Sequence, residues 1–253
     1  MIPVQYASDL HLEFPANRDF LKTNPLKPAA DILVLAGDVV PFAVMDKHKD
    51  FFSYLADHFH TTYWVPGNHE YYGSDIADYS GVLNFAVRSN IFLVNNTAIL
   101  HNSVNLIFST LWSKIRPDRQ WQMERGLNDF NAILFKGQKF TADNYNNLHE
   151  ECLSSIKNKL QESKDAKKIV FTHHCPTFRF YPEEYKNDVL NDAFAVDLDE
   201  LILTAQMNAW IYGHHHTNTP EFKMKKTSLL TNQLGYVLRN EHEFFQLDKC
   251  LEL

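Results

Sequence analysis

Five short segments of the chain carry the side chains that could do chemistry. Each follows a short apolar run and contains aspartate, histidine or asparagine, in three cases beside a glycine: Asp9-Leu10-His11, Gly37-Asp38, Gly67-Asn68-His69-Glu70, His173-His174 and Gly213-His214-His215-His216. Imidazole nitrogens together with carboxylate and amide oxygens, without a thiolate, suit Mn, Fe or Zn better than Mg or Ca alone. The residue types therefore indicate a transition-metal site.

Each segment taken alone has an ordinary structural explanation. Gly37-Asp38 is a common turn pair, Asn68 could cap a helix, and a run of histidines could lie on the surface. All five segments, however, occupy the same structural position. The ligand crevice of an open α/β sheet lies beyond the carboxyl ends of its strands, where residues from distant segments converge. The sequence therefore predicts one shared site, with Gly37, Gly67 and Gly213 allowing sharp turns without a Cβ clash.

The elements that must position these residues alternate along the chain. Short runs rich in Val, Ile, Tyr and Phe predict buried strands at residues 3–8, 31–36, 61–65, 106–111, 168–172 and 209–212. Helical spacing predicts helices at residues 46–59, 74–89, 141–163 and 198–207. Further strands are expected at residues 228–231, 236–239 and 243–247, and a loop over the site at residues 112–139. The alternation predicts an α/β fold, and the late strands predict a second sheet.

Composition and charge narrow the class of protein. The chain has 253 residues, 45% of them hydrophobic and 22% charged, and no repeat or linker, so residues 1–253 are expected to form a single domain. The net charge of −7 disfavours nucleic acid as a partner, except for small nucleotides. Three scattered cysteines indicate neither a disulfide framework nor a thiolate site. With no signal sequence and no membrane span, a cytoplasmic protein is expected.

The ordered series of motifs resembles that of the calcineurin-like metallophosphoesterase superfamily, in particular its small bacterial members. The series is Asp-x-His, Gly-Asp, Gly-Asn-His-Glu, His and Gly-His-x-His, and it extends from residue 9 to residue 216. The resemblance implies a two-layer β-sandwich flanked by helices, with a dinuclear metal site at the C-terminal ends of the strands. It assigns one ion to Asp9, His11, Asp38 and His216, and the other to Asp38, Asn68, His173 and His214.

The resemblance also implies the reaction. Two ions of Mn, Fe or Zn hold the phosphoryl group and activate a bridging hydroxide for attack on phosphorus. His69, from Gly-Asn-His-Glu, donates a proton to the leaving group, which suits a side chain whose ordinary pKa is about 6.5. The expected substrate is a small phosphorylated molecule. A phosphodiester is the first choice and a phosphomonoester the alternative.

One departure from the superfamily bears on the substrate. Protein Ser/Thr phosphatases resemble Gly-Asp-x-x-Asp-Arg-Gly at the second motif, whereas here Asp38 is followed by Val39-Val40-Pro41-Phe42. The partner Asp and the phosphate-binding Arg are absent. A phosphoprotein substrate is therefore disfavoured, and the carboxylate that would orient His69 is not identified by the motif.

Four residues are candidates for contact with the substrate. The aromatic rings of Tyr72 and Trp112 could stack on the substrate, Arg116 could meet a phosphate, and His174 adjoins a ligand position. The segment that Trp112 opens, together with Leu127-Asn128-Asp129-Phe130, resembles segments of uncharacterised bacterial members. The alternative for these residues is core packing for the rings and solvated surface for the arginine.

Three other classes of function compete with this interpretation. A cysteine phosphatase requires Cys-x5-Arg, but Arg179 follows Cys175 by only four residues. A nuclease would share the ligands, yet the acidic charge weighs against a processive enzyme. A non-catalytic scaffold would be expected to have lost ligands or His69, and this chain retains them all.

Overall fold

The computed structural model describes residues 3–163, 166–185 and 188–252. Its strands are β1 Val4–Ala7, β2 Ile32–Ala36, β3 Thr61–Val65, β4 Leu83–Arg88, β5 Ile91–Asn95, β6 Thr97–His101, β7 Val104–Ser109, β8 Leu134–Phe135, β9 Gln138–Lys139, β10 Lys167–Thr172, β11 Ala209–Ile211, β12 Phe222–Met224, β13 Thr227–Leu230 and β14 Cys250–Leu251.

The helices lie between these strands. The α-helices are α1 Pro15–Thr23, α2 Lys49–His58, α3 Gln120–Gly126, α4 Asp129–Ala132, α5 Ala142–Glu162 and α6 Asp199–Thr204. Short 3-10 helices occupy Phe42–His48, His69–Tyr71, Ile76–Asp78, Pro117–Arg119, Glu183–Tyr185, Val189–Ala193, Val237–Arg239 and Glu241–Phe244. Among the described residues, no helix is both long and apolar enough to cross a membrane.

Two six-stranded mixed sheets form the centre of the fold. Their strand orders are β14-β1-β2-β3-β5-β4 and β12-β13-β11-β10-β7-β6. The four inner strands of each sheet run parallel, and the edge strands β14, β4, β12 and β6 pair antiparallel with their neighbours. Because inner parallel strands share one direction, the loops that follow β1, β2, β3, β10 and β11 leave from their carboxyl ends.

Burial on both faces explains why the inner strands read as continuous apolar runs. In β2, Val34 faces the other sheet and packs in a cluster with Phe108 and Phe171. Its neighbour Leu35 faces outward and packs in the cluster that includes Phe52 and Leu55 of α2. Helices α5 and α6 cover the outer face of the second sheet in the same way. The predicted α/β fold, two sheets flanked by helices, is confirmed.

Helix α5 matches its predicted bounds because its sequence carries both the cap and the periodicity. The Thr141 hydroxyl accepts a hydrogen bond from the backbone N–H of Asn144 at 3.2 Å, and the Asn144 side chain accepts one from the Thr141 N–H at 3.1 Å. This reciprocal pair satisfies donors that the first turn leaves free. Buried residues then recur every three or four positions, for example Cys152, Ile156 and Leu160.

Residues 74–89 do not form the predicted helix. A 3-10 turn at Ile76–Asp78 is followed by Gly81, whose φ is +79°, and by strand β4. β4 pairs antiparallel with β5, which was not among the predicted strands. Apolar residues at helix-like spacing are not enough here, because pairing with the edge of a sheet and a left-handed glycine override the local preference.

Three other segments also differ from expectation. Residues 236–239 and 243–247, predicted as strands, contain the 3-10 helices Val237–Arg239 and Glu241–Phe244, which are separated by Asn240 at φ +59°. The predicted loop at 112–139 contains α3 and α4. Helices this short are not stable alone. Tertiary packing of Met123 and Phe130 in a buried cluster stabilises them. Each helix is also too short to show a helical repeat of apolar residues in the sequence.

Candidate active site

Loops from the carboxyl ends of five strands bring the seven predicted ligands together. Among the described residues, three groups of side chains have ligand atoms within 4.8 Å of one another. Two of them share Asp38: Asp9, His11, Asp38 and His216 form the first group, and Asp38, His173 and His214 form the second. The third consists of His11, Glu13 and His69. Asn68, the seventh residue, places its Oδ1 3.2 Å from His173 Nε2.

In the first group, two imidazole lone pairs face each other. Nδ1 of His11 lies 3.3 Å from Glu13 Oε1, and Nδ1 of His216 lies 2.8 Å from Glu241 Oε2. Since a carboxylate only accepts, both Nδ1 atoms donate. The two Nε2 atoms, 2.9 Å apart, are then both acceptors, with carboxylate oxygens of Asp38 and Asp9 at 3.7 and 3.5 Å. A cation would turn this repulsion into attraction.

The second group has the same character. Nδ1 of His173 donates to the Ala36 carbonyl at 3.0 Å, and Nε2 of His214 donates to the Ala193 carbonyl at 3.2 Å. The remaining nitrogens, His173 Nε2 and His214 Nδ1, lie 3.0 Å apart, and Asp38 Oδ1 is 3.3 Å from His173 Nε2. When both histidines are neutral, the lone pairs of His173 Nε2, His214 Nδ1 and Asp38 Oδ1 therefore face one another with no proton between them.

Positive charge is favoured at this point. Burial opposes a charge on His173, but the carboxylates of Asp38 and Asp9 outweigh it and raise the pKa of His173 to about 9. Burial and neighbouring histidines lower the pKa of His214. A proton on His173 or a metal cation can neutralise the cluster, and metal binding would displace that proton. The donor set fits a transition-metal cation in each group.

The amide of Asn68 is held with its oxygen toward the cluster. Its Nδ2 donates to Asp129 Oδ1 at 2.9 Å, and the same oxygen accepts from the Tyr72 hydroxyl at 2.6 Å. Because the NH2 group is committed to Asp129, Oδ1 is the atom that remains for a cation. Asp129 therefore gives a physical role to the Leu127-Asn128-Asp129-Phe130 segment.

Most of the candidate ligands have a left-handed backbone conformation. The φ angles are +57° at Asp9, +48° at His11, +55° at Asp38, +79° at His214 and +55° at His216. Non-glycine residues seldom adopt this region, and each instance costs on the order of 1–3 kcal/mol. The surrounding hydrogen bonds enforce it, as where both Asp9 oxygens accept from the His214 N–H. The strain is stored where side chains must converge.

Gly37 lies against a ligand side chain. Its φ is +91°, and a Cβ there would lie 2.2 Å from Nδ1 of His173. We expect Gly37→Ala to lower the free energy of unfolding by about 2–4 kcal/mol in urea titrations, because it adds overlap to backbone strain. Gly81→Ala is the matched control, since Gly81 has φ +79° and open space around it, and about 1 kcal/mol is expected. Equal losses would contradict the close-contact explanation.

The buried carboxylate of Glu70 links the loop that follows β2 to the loop that follows β3 through hydrogen bonds. Its Oε1 accepts from Val39 N and Trp64 Nε1 at 2.7 and 2.9 Å, and its Oε2 accepts from Asp38 N and Gly67 N at 2.9 and 2.6 Å. Burial and the charge of Asp38 raise its pKa, while these donors favour the ionised form. All four partners are donors, so the site is built for a carboxylate.

An amide at this position would turn an N–H toward other N–H groups. We therefore expect Glu70→Gln to reduce the free energy of unfolding by about 2–4 kcal/mol, measured by urea denaturation. Glu150→Gln serves as the control, because the ion pair of Glu150 with Lys114 is exposed and is worth about 0–1 kcal/mol. Similar losses for the two variants would argue against a structural role for the Glu70 network.

His69 lies beside the candidate ligands and outside the two groups that share Asp38. Its backbone N–H donates to Asp38 Oδ1 at 3.0 Å, and its Nε2 is 4.0 Å from Asp38 Oδ2. Nδ1 donates to Glu13 Oε1 at 2.8 Å, and the ring stacks on Tyr72 with centroids 4.2 Å apart. Burial alone would lower the pKa of His69, but Asp38 and Glu13 raise it to about 9.

Only one of the four predicted substrate contacts reaches the cleft. Tyr72 lines a cleft of about 510 Å³ above the two groups. Trp112 is buried in a cluster with Tyr71 and Phe130. The side chains of Arg116 and His174 turn elsewhere: Arg116 Nε donates to Asp192 at 2.8 Å, and Nδ1 of buried His174 donates to the Thr110 carbonyl at 3.3 Å.

Sequence reasoning missed three carboxylates that hold ligands or His69 in place, namely Glu13, Asp129 and Glu241. Glu13 follows His11 by two positions, so the fuller pattern Asp-x-His-x-Glu was a usable signal. Asp129 lies in the Leu127-Asn128-Asp129-Phe130 segment, to which the resemblance assigns no role. No local sequence pattern marks Glu241, because it lies 25 positions after His216. The turn from Tyr236 to Asn240 brings its carboxylate to the imidazole.

Comparisons with known proteins identify the family of the chain. Residues 2–218 match the family described as calcineurin-like phosphoesterase. The chain is 33% identical over 279 aligned positions to an uncharacterized protein of Acanthamoeba polyphaga mimivirus, with 98% of each chain covered.

Two solved structures are similar in fold. A phosphopantetheinyl hydrolase from Mycobacterium tuberculosis superimposes with a TM-score of 0.72 at 12% identity, covering 98% of this chain and 95% of its own. A dimetal phosphatase from Danio rerio gives a TM-score of 0.51 at 15% identity, covering 92% and 87%. With the family match spanning most of the sequence, the chain belongs to the calcineurin-like phosphoesterases, metal-dependent hydrolases that act on phosphoric ester bonds.

Proposed function

We propose that this chain hydrolyses a phosphodiester and that His69 donates a proton to the leaving group. The observation that carries the proposal is the convergence of two sets of lone pairs on Asp38, with His69 at their edge. Asp9, His11, Asp38 and His216 would hold one ion of Mn, Fe or Zn. Asp38, Asn68, His173 and His214 would hold the second.

The residues of the site have two roles: some would hold the cations, and His69 would transfer a proton. A pair of such cations held by these residues would polarise a phosphoryl group and lower the pKa of water in the site. Glu241 fixes the ring of His216, and Asp129 fixes the amide of Asn68, so the ligands are oriented in advance. His69 carries its transferable proton on Nε2, because Nδ1 is committed to Glu13.

The charge of the cleft supports a diester over a monoester. Five carboxylates line it among the described residues: Glu13, Asp38, Asp129, Asp188 and Glu241. Apart from histidines, the one basic side chain in that described lining is Arg239, whose guanidinium lies 5.1 Å from the centroid of the Tyr236 ring. Bound cations would offset much of this negative charge, so the diester is favoured by the scarcity of further basic side chains in the described lining. A phosphodiester carries one negative charge and a monoester up to two near neutral pH, so the monoester needs more positive partners than this lining supplies.

The walls of the cleft support an organic group on each side of the phosphate. Phe14, Tyr181, Leu190, Phe194 and Tyr236 line the cleft with largely apolar surface. Such walls bury uncharged parts of a small substrate and contribute affinity in proportion to the apolar area covered. A small phosphodiester with uncharged or aromatic substituents therefore fits the lining best.

Turnover on two chromogenic esters tests the choice. Purified protein supplied with Mn should hydrolyse bis-p-nitrophenyl phosphate with a kcat/KM at least about tenfold above that for mono-p-nitrophenyl phosphate, a difference of about 1.4 kcal/mol. A preference for the monoester would favour the phosphatase alternative. No hydrolysis of either ester, with no transition metal found by elemental analysis, would favour a non-catalytic scaffold.

We also infer that residues 1–253 act as a single domain in a reducing, cytoplasmic setting. The family match ends at residue 218, yet β13 then joins the second sheet and β14 joins the first. The C-terminal segment is therefore part of both sheets. Cys152 and Cys175 are buried free thiols, which suits a reducing compartment.

A further inference from the structure

His69 is held by a carboxylate that does not come from the second motif. Pro41 and Phe42 occupy the positions of Asp and Arg in the Gly-Asp-x-x-Asp-Arg-Gly motif, from which this chain departs. Instead, Glu13 presents Oε1 to Nδ1 of His69 at 2.8 Å. The two residues are 56 positions apart, and Glu13 belongs to the loop between β1 and α1.

The loop that carries Glu13 is tied to the second motif through the backbone. The His11 N–H donates to the Asp38 carbonyl and the Leu12 N–H to the Val39 carbonyl, both at 2.9 Å. These bonds hold the loop that follows β1 beside the loop that follows β2. A glutamate two residues after His11 therefore reaches the ring that an aspartate of the second motif would otherwise serve.

We propose that Glu13 is the positioning residue of His69, which it holds with Nδ1 protonated so that Nε2 carries the proton for the leaving group. The inference rests on the proposed function. Nε2 is the nitrogen that faces the ligand groups, 4.0 Å from Asp38 Oδ2. A carboxylate on Nδ1 fixes which nitrogen faces the reaction, as it does for metal-bound and catalytic histidines elsewhere.

Four contacts among the described residues restrain the His69 ring, and the hydrogen bond to Glu13 is the directional one. Tyr72 stacks on its face at 4.2 Å, His11 packs against it edge-on at 4.5 Å, and the tilted ring of Phe14 lies at 6.4 Å. Stacking resists tilting of the ring but does not select a nitrogen. The hydrogen bond to Glu13 selects Nδ1, so its loss should affect proton donation more than the position of the ring plane.

Glu13 has a competing role that the experiment must separate. Its Oε1 also lies 3.3 Å from Nδ1 of His11, and His11, Glu13 and His69 together could hold a cation. In that case Glu13 would act through metal binding. A positioning role acts chiefly through His69, whose Nδ1 lies 2.8 Å from Glu13 Oε1 against 3.3 Å for that of His11. The two roles therefore differ in metal content and in their dependence on His69.

The test compares Glu13→Gln with Glu241→Gln on two diesters. Glu241 accepts from His216 as Glu13 does from His69, so it is a matched control at a ligand. The substrates are bis-p-nitrophenyl phosphate, whose leaving group needs little protonation, and diphenyl phosphate, whose leaving group needs more.

We expect Glu13→Gln to lower kcat for diphenyl phosphate by about 10–100-fold, with a much smaller effect on kcat for bis-p-nitrophenyl phosphate. KM should be unchanged, and the variant should retain two metal ions per chain. Glu241→Gln should lower metal content and affect both esters alike.

A double substitution decides whether Glu13 acts through His69. In the His69→Asn background, Glu13→Gln should cause no further loss of kcat, because its partner is already absent. An equal additional loss there, or metal loss with equal effects on both esters, would overturn the positioning role. Wild-type protein that cleaves neither ester would overturn the proposed function and this inference with it. An active wild type with no selective effect of Glu13→Gln would overturn the inference alone.

Discussion

We expect His69→Asn to lower kcat for diphenyl phosphate by about 10²–10⁴-fold while both metal ions remain bound. His69 belongs to neither of the groups centred on Asp38, and its Nδ1 is already used by Glu13. Asparagine keeps similar polarity and fills part of the same space, but its amide has no proton to give near neutral pH. The chemical step therefore loses its acid, whereas the cation ligands are unchanged.

Stopped-time assays on diphenyl and bis-p-nitrophenyl phosphate, paired with elemental analysis, measure this effect. The loss should be greatest for diphenyl phosphate, whose leaving oxygen needs the proton most. His60→Asn is the matched control, because His60 is exposed and does not line the cleft. Retained turnover in the His69 variant would refute the leaving-group role, and loss of metal would make His69 a ligand.

The second large effect is expected at Asp38. Asp38→Asn should reduce metal content from about two ions per chain to less than one and lower kcat/KM by about 10³-fold or more, which corresponds to about 4 kcal/mol. Asp38 is shared by both groups of candidate ligands. Replacing its carboxylate by an amide removes the negative charge that would attract two cations at once and turns an N–H toward one of them.

Thermal unfolding gives a readout that does not depend on activity. Metal that binds only the folded wild type stabilises it by about 2.7 kcal/mol at 100 times its Kd, so Tm should rise when Mn is added and fall when it is chelated. The Asp38→Asn variant should lose most of that rise. Asp19→Asn, on the exposed face of α1, should keep it. An Asp38 variant that retains two ions and normal turnover would refute the bridging role.

The sequence predicted the inner strands around the site well and the edge strands poorly, because the two kinds of strand differ in burial. Strands such as β2 are buried on both faces, so every residue must be apolar and the run is visible without a partner. Strand β4 lies at a sheet edge, with several exposed residues, and pairs only with β5. Its identity depends on that neighbour, which explains why residues 74–89 resembled a helix.

The candidate ligands could be found from sequence because each follows a strand closely, whereas the long-range pairs that hold them and His69 could not. Asp129 reaches Asn68 from 61 positions away, and Glu13 reaches His69 from 56. No local pattern encodes such pairs, since they depend on how loops from different strands approach one another. The same holds for Trp112 and Arg116, which the fold directs into a buried cluster and an ion pair with Asp192.

By itself, the amino-acid sequence determined the class of fold and the series of candidate ligand types, because these follow from residue type and from position after apolar runs. The proton-donor role of His69 was implied by the resemblance to the superfamily and stays a prediction. The tertiary structure alone decided how the site is held. It sets the left-handed backbone at ligands such as Asp38, the direction of each imidazole proton, and the carboxylate behind His69. Those features arise from contacts between segments far apart in the chain, whose geometry no single segment specifies.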